Sequence, residues 1–134
     1  MCLNFVKNKV MNTLLWSCQG LLALVFGYSG FCKSIFSETI LVGKKGQTGV
    51  SGLPLAFIRI IGISELLGMV GIILPWWASI RTILTPITAV CFALIMVVAA
   101  PIHYRKKEPG NVAINLILLA LAIFTAYGRF AGLA

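Results

Sequence analysis

Only three side chains of this 134-residue chain are carboxylates, Glu38, Glu65 and Glu108, and one, His103, is an imidazole. Glu65 falls inside an apolar run, about Leu55 to Leu74. A charge there costs at least ~2.5 kcal/mol unless it is protonated, paired or facing water. Arg59, six positions earlier and ~240° round a helix, is a poor partner. The partner is therefore expected from another helix: Lys33, His103 or Asn115. Two readings stay open for this carboxylate. It is a polar clamp that fixes helix pairing, or it is a proton- or ligand-binding group in a cavity open to the cytoplasmic side.

The remaining reactive side chains suggest less chemistry. His103 has no second histidine and no carboxylate at ligand spacing, so it reads as an interfacial hydrogen-bonding residue and not as a metal ligand. Cys2, Cys18, Cys32 and Cys91 contain no C-x-x-C pair, which removes the thioredoxin-type redox motif and the zinc ribbon. A helical wheel turns Cys18, Cys32 and Cys91 away from the small-residue faces and towards lipid. Gly43, Gly46, Gly49 and Gly52 recur every third residue. Their order does not fit a phosphate-binding P-loop, and they read as a flexible loop. Catalytic residues and a metal site are therefore not expected.

The elements that must position these groups can be read from composition. Hydrophobic residues make up 60% of the chain and charged ones 10%, against roughly 25% charged in soluble domains. A soluble globular protein is excluded. The apolar stretches are continuous and do not alternate, which excludes an outer-membrane barrel and leaves helices, each satisfying its own backbone. The expected architecture is an all-α, four-helix transmembrane bundle running up-down-up-down, one integral membrane domain over residues 1–134, with helices at about 13–32, 55–75, 83–103 and 112–129. Pro75 is expected to end the second helix. Lys7 and Lys9 before the first apolar run imitate a signal peptide, but the run is too long and no small-residue cleavage site comes after it.

Small residues let membrane helices approach closely. Gly20, Ala23, Gly27 and Gly30 share a face of the first helix, and Ser64, Gly68 and Gly71 share one of the second. Ala89, Ala93 and Ala100 mark the third helix, Ala122 and Ala126 the fourth. His103, Asn115 and Arg129 lie on these faces and Glu65 lies ~60° to the side of Gly68, so all four should point inward. Trp16, Trp76, Trp77 and Tyr127 fall at the opposite surface as an aromatic belt.

The formal charge of +8 does not indicate nucleic acid, because the basic residues lie between the apolar runs, where anionic lipid headgroups are their partners. Lys7, Lys9, Arg81 and Arg129 lie on the side of the termini; Lys33, Lys44, Lys45, Arg105, Lys106 and Lys107 lie on the other, with Arg59 just inside the membrane. This bias predicts both termini outside and the first and third loops in the cytoplasm.

From Leu14 to Phe130 the chain resembles the DoxX-like family of small four-helix membrane proteins. The likeness is carried by Gln19-Gly-Leu-Leu-Ala-Leu-Val-Phe26 with Gly30-Phe-Cys-Lys33, by Arg59-x-x-Gly-x-x-Glu65-x-x-Gly-x-x-Gly-x-x-Leu-Pro75, by Leu84-Thr-Pro86, by His103 ahead of the basic cluster, and by Asn115-Leu with the closing Tyr-Gly-Arg-Phe130. The resemblance implies a protein of the bacterial inner membrane whose role is largely unassigned. Some relatives are similar to subunits of a thiosulfate:quinone oxidoreductase, some accompany thiol and oxidative-stress enzymes, and the animal receptor chaperone NACHO is a distant member. The residues carried over from the pattern are Lys33, Arg59, Glu65, His103 and Asn115. The function expected from this resemblance is that of a non-catalytic membrane subunit, assembly factor or chaperone with a membrane-protein or redox-enzyme partner, or a homo-oligomer. The alternative is a component that takes a quinone or a lipid as ligand.

Overall fold

The computed structural model describes residues 2–44 and 47–133. Lys45 of the basic count and Gly46 of the glycine series lie outside the described residues. Helix α1 spans Cys2–Ile35, a short α2 spans Glu38–Val42, a 3-10 turn covers Thr48–Val50, and α3, α4 and α5 span Leu55–Trp77, Leu84–Arg105 and Pro109–Leu133. There is no strand among the described residues. Among the described residues four helices are long and apolar enough to cross a membrane, and they form a helical transmembrane bundle. Each packs on its neighbours in chain order, and α1 closes the ring on α5. Side chains from the start of α1 and the ends of α3 and α5 meet at one end, which we term the terminal end; the other is the loop end.

Two boundaries differ from expectation. With 34 residues, α1 is ~51 Å long against a ~30 Å hydrocarbon layer, so it starts well before residue 13; residues 2–14 are all exposed. Its start contains no proline or glycine to stop it. Pro75, expected to end α3, sits inside it, and the helix continues to Trp77. A proline removes the donor for the carbonyl four residues back, here Gly71, and the Thr85 hydroxyl donates to that oxygen at 3.4 Å.

The core forms where glycine makes room. Phe26 of α1 and Phe92 of α4 stack across the bundle, centroids 3.8 Å apart and planes 3° from parallel. A Cβ on Gly68 would lie 2.5 Å from the Phe92 ring, so only glycine leaves space for the stack. Gly27 likewise receives Met69, Gly71 receives Thr88, and Gly30 lies against the backbone of Gly62 and Leu66. Two expected packing positions differ. Nothing stands within 4 Å of a Cβ at Gly20, and Ser64 is exposed with its hydroxyl bonded to the Ile60 carbonyl one turn back. Gly62 takes the contact role instead, since its own Cβ would meet Lys33 and Ser34 of α1.

The first loop is packed, contrary to the flexible loop expected from its glycines. Leu41 and Val50 are buried with Ile58 and Cys32 in a second apolar cluster beside Phe36, and Gln47 is buried too. Of the glycines in the series that are described, Gly52 has the left-handed backbone, φ 81°; its N–H donates to Glu38 Oε1 at 2.7 Å. Cys32 is thus 1% exposed, not lipid-facing. A helical wheel holds helix neighbours alone, and it is the returning loop that covers this thiol.

Candidate functional site

Glu65, His103, Asn115 and Arg129, which the wheel turns inward, are 2%, 4%, 8% and 2% exposed. They divide into groups at opposite ends of the bundle. At the loop end Lys33 Nζ donates to Glu65 Oε1 at 2.8 Å and to the Ser29 hydroxyl at 2.8 Å, and that hydroxyl lies 3.3 Å from Gln47 Oε1. Lys33 is one turn past Ser29 on α1, so the two side chains share a face and meet each other. The second carboxylate oxygen, Oε2, is buried without a hydrogen-bond partner.

Arg59 does a different job. Its guanidinium donates to the carbonyls of Lys33 at 2.7 Å, Phe36 at 3.0 Å and Ile35 at 3.1 Å. These oxygens belong to the last turn of α1 and the residue beyond, which lack donors within the helix. Arg59 is therefore a cap that also places a positive charge at the negative end of the helix dipole.

His103, expected as a candidate partner for Glu65, meets Glu108 instead. The Nδ1 atom lies 2.7 Å from Glu108 Oε2, which also accepts from Thr48 at 2.8 Å and Asn111 at 3.0 Å. The turn made by Lys106 and left-handed Lys107, φ 58°, folds Glu108 back over the end of α4. The hydrogen bond to His103, followed by those to Asn111 and Thr48, lowers the Glu108 pKa from 4.5 to about 2. Lys106 adds a hydrogen bond to the Thr48 carbonyl. Asn115 touches neither carboxylate within hydrogen-bond distance, and its Nδ2 has no partner. Gln47 and Thr48, adjacent in sequence, thus touch the two groups, and the first loop is the piece that ties them. A cavity of about 390 Å³ opens beside it, lined by Lys44, Thr48, Glu108 and Asn111 among others.

The terminal end carries a network that was not expected from the sequence, although Gln19 and Arg129 each stand in a motif that carries the family likeness. Arg129 Nε donates to Gln19 Oε1 at 2.6 Å, Arg129 Nη1 donates to Asn12 Oδ1 at 2.8 Å, and Gln19 Nε2 donates to the Ile72 carbonyl at 2.6 Å. The guanidinium carbon lies 4.4 Å from the Trp76 ring centroid and 5.3 Å from that of Trp16. These two tryptophans therefore hold a cation and are not solely belt anchors. The signal for Gln19 was present in its spacing: with Ala23, Phe26 and Gly30 it forms an i, i+4, i+7, i+11 stripe on the inner face.

The described residues contain no group of three His, Cys, Asp or Glu side chains placed to hold a metal. Fold and polar interior together define a multi-pass integral membrane protein, a four-helix bundle in which the intramembrane Glu65 is paired with Lys33. The chain belongs to the DoxX-like family, which matches residues 17–125. No curated protein and no solved structure matches it.

Proposed function

We propose that the protein is a non-catalytic membrane subunit, assembly factor or chaperone of the bacterial inner membrane. The observation that carries this reading is the engagement of family-pattern side chains within the chain itself. Lys33 holds Glu65, Arg59 caps α1, and His103 holds Glu108. Groups committed to holding helices and loop together are suited to a scaffold that presents its outer surface to a partner protein. Native mass spectrometry of the protein released from its own membranes tests this. A co-released protein at fixed stoichiometry is the expected result, and a monodisperse, partner-free species would overturn it.

A second reading is favoured by one atom. The buried, unpartnered Glu65 Oε2 is a ready acceptor for the hydroxyl of an amphiphile such as a quinol, which would make the protein the ligand-binding component of a redox system. In that case the same spectra contain a lipid-extractable redox-active species that Glu65→Gln removes.

The orientation proposed with this function has both termini outside and the first and third loops in the cytoplasm. Arg105, Lys106 and Lys107 are exposed at the loop end and Lys7, Lys9 and Arg81 at the terminal end, so this orientation rests on the full count of basic residues in the sequence. An alkaline phosphatase fused to the carboxyl terminus should be active; an inactive fusion with an active cytoplasmic reporter at the same point reverses the orientation.

A further inference from the structure

Arg129 is a buried cation whose hydrogen-bond partners are all neutral. It is 2% exposed, and its acceptors are the amides of Gln19 and Asn12. Its Nη2, fully buried, has no partner at all. The three acidic side chains of the chain sit elsewhere: Glu65 with Lys33, Glu108 with His103, and Glu38 with Gly52. A guanidinium taken out of water without a counter-ion is strongly unfavourable, and two aromatic faces and two amides offset it only in part.

Beside Arg129 lies a cavity of about 330 Å³ between the ends of α1, α3 and α5. Asn8 and Asn12 give it polar walls, and Met11, Leu15 and Trp76 give it apolar ones. Gly128 and Gly132 keep the α5 side low. The Asn12 carbonyl oxygen is turned to Arg129, which leaves its NH₂ as a donor. The site lies at the level of Trp77 and Tyr127, both largely exposed, where tryptophan and tyrosine mark the headgroup layer. Lys7 and Lys9 stand one turn or less from Asn8, exposed on α1.

We propose that this cavity binds a phosphate group, with Arg129 as counter-ion and Asn8 and Asn12 as neutral hydrogen-bond donors. A phosphodiester fits the walls best: its charge meets Arg129 and its acyl portion lies along Met11, Leu15 and Trp76. A guanidinium and a phosphate make charge-assisted hydrogen bonds whichever leaflet the phosphate comes from. Asn8, Asn12, Trp16 and Arg129 fall outside residues 17–125 matched by the family.

The test uses the full chain purified through a carboxy-terminal tag, which keeps the terminal carboxylate away from Arg129. Three probes are compared: phosphatidylglycerol, an uncharged glycolipid with the same acyl chains, and inorganic phosphate alone. Phosphatidylglycerol is expected to raise the Tm and to persist as a one-to-one adduct in native mass spectra, with the glycolipid doing neither. A rise with inorganic phosphate that phosphatidylglycerol does not exceed keeps the phosphate site and assigns it to a soluble anion. Arg129→Gln should weaken the adduct about tenfold. Should that variant fail to fold, Asn8→Glu decides, since residue 8 is exposed on α1 and a carboxylate there supplies the missing counter-ion. Asn8→Glu is expected to raise the Tm without lipid and to abolish the adduct. Equal responses to the glycolipid and to phosphatidylglycerol, or an undiminished adduct in Asn8→Glu, would overturn the proposal.

Discussion

At the loop end every carboxylate of the chain meets a donor from another part of the fold: Lys33 of α1 for Glu65 of α3, His103 and Thr48 for Glu108, and the Gly52 N–H for Glu38. At the terminal end a guanidinium equally deep in the protein meets amides and aromatic faces. The loop end is closed by a segment of 19 residues, 36–54 between α1 and α3, much of it packed. The terminal end is left open, because residues 78–83 between α3 and α4 are too few to cover it. The contrast teaches that the loop end supplies its carboxylates with donors from within the chain, while the terminal end buries a cation beside neutral groups alone.

The largest expected effect comes from breaking the loop-end pair. Lys33→Met leaves the Glu65 carboxylate buried alone and should cost ~3 kcal/mol, while Lys33→Met with Glu65→Leu should restore most of it. Denaturation of the detergent-solubilised variants measures both. If the single variant is as stable as the parent, the loop end is not closed by this pair and the contrast fails. Gln19→Leu probes the other end: the Arg129 Nε loses its acceptor, at a cost of about 2 kcal/mol. Since phosphate should offset part of that loss, stability measured with and without phosphatidylglycerol sharpens the difference between the ends.

Glycine substitutions give a smaller contrast. A Cβ on Gly30 would lie 2.7 Å from the Gly62 carbonyl, a backbone atom that cannot step aside, so Gly30→Ala should cost ~2 kcal/mol. On Gly128 the obstacle is the Leu15 side chain at 2.5 Å, which can rotate, and the loss should be smaller. Gly20→Ala, with nothing nearby, should be neutral or slightly stabilising. The order of the three melting temperatures checks the packing.

The smallest expected effect is acid dependence. Glu108 has its pKa lowered from 4.5 to about 2 by its hydrogen bonds to His103, Asn111 and Thr48. A group depressed on folding contributes stability above its unfolded value, so this contribution is complete above pH 4.5 and fades as the pH falls towards 2. Glu108→Gln should therefore lower the Tm at pH 7, and the gap to the parent should narrow at pH 3. A gap of constant size across that range would show that the Glu108 charge does not hold the loop.

The inward phase of Glu65 and His103 was legible in the sequence because a helix repeats every 3.6 residues and small residues mark where backbones touch. Membership in the DoxX-like family was legible for the same reason, its glycines, prolines and charges being fixed to helix positions. Ser64 shows the limit of such reading. It shares a wheel face with Gly68, yet it is exposed, because a hydroxyl can return to its own helix and Gly62, two residues earlier, makes the closer contact. Cys32 shows the same limit from the other side, buried by a loop that no wheel contains.

Hydropathy and length are local quantities, and by themselves they determined that four helices cross a membrane and that a carboxylate at position 65 needs help. Which cation supplies that help depends on how α1 and α3 turn towards each other, and Lys33 takes the role that His103 and Asn115 shared with it as candidates. Why Arg129 stands without an acid depends on where the chain puts its only three, Glu65 towards the loop end of α3 and Glu38 and Glu108 in the segments that close that end. Contacts between residues distant in sequence carry no periodic signal, and only the tertiary structure decides them.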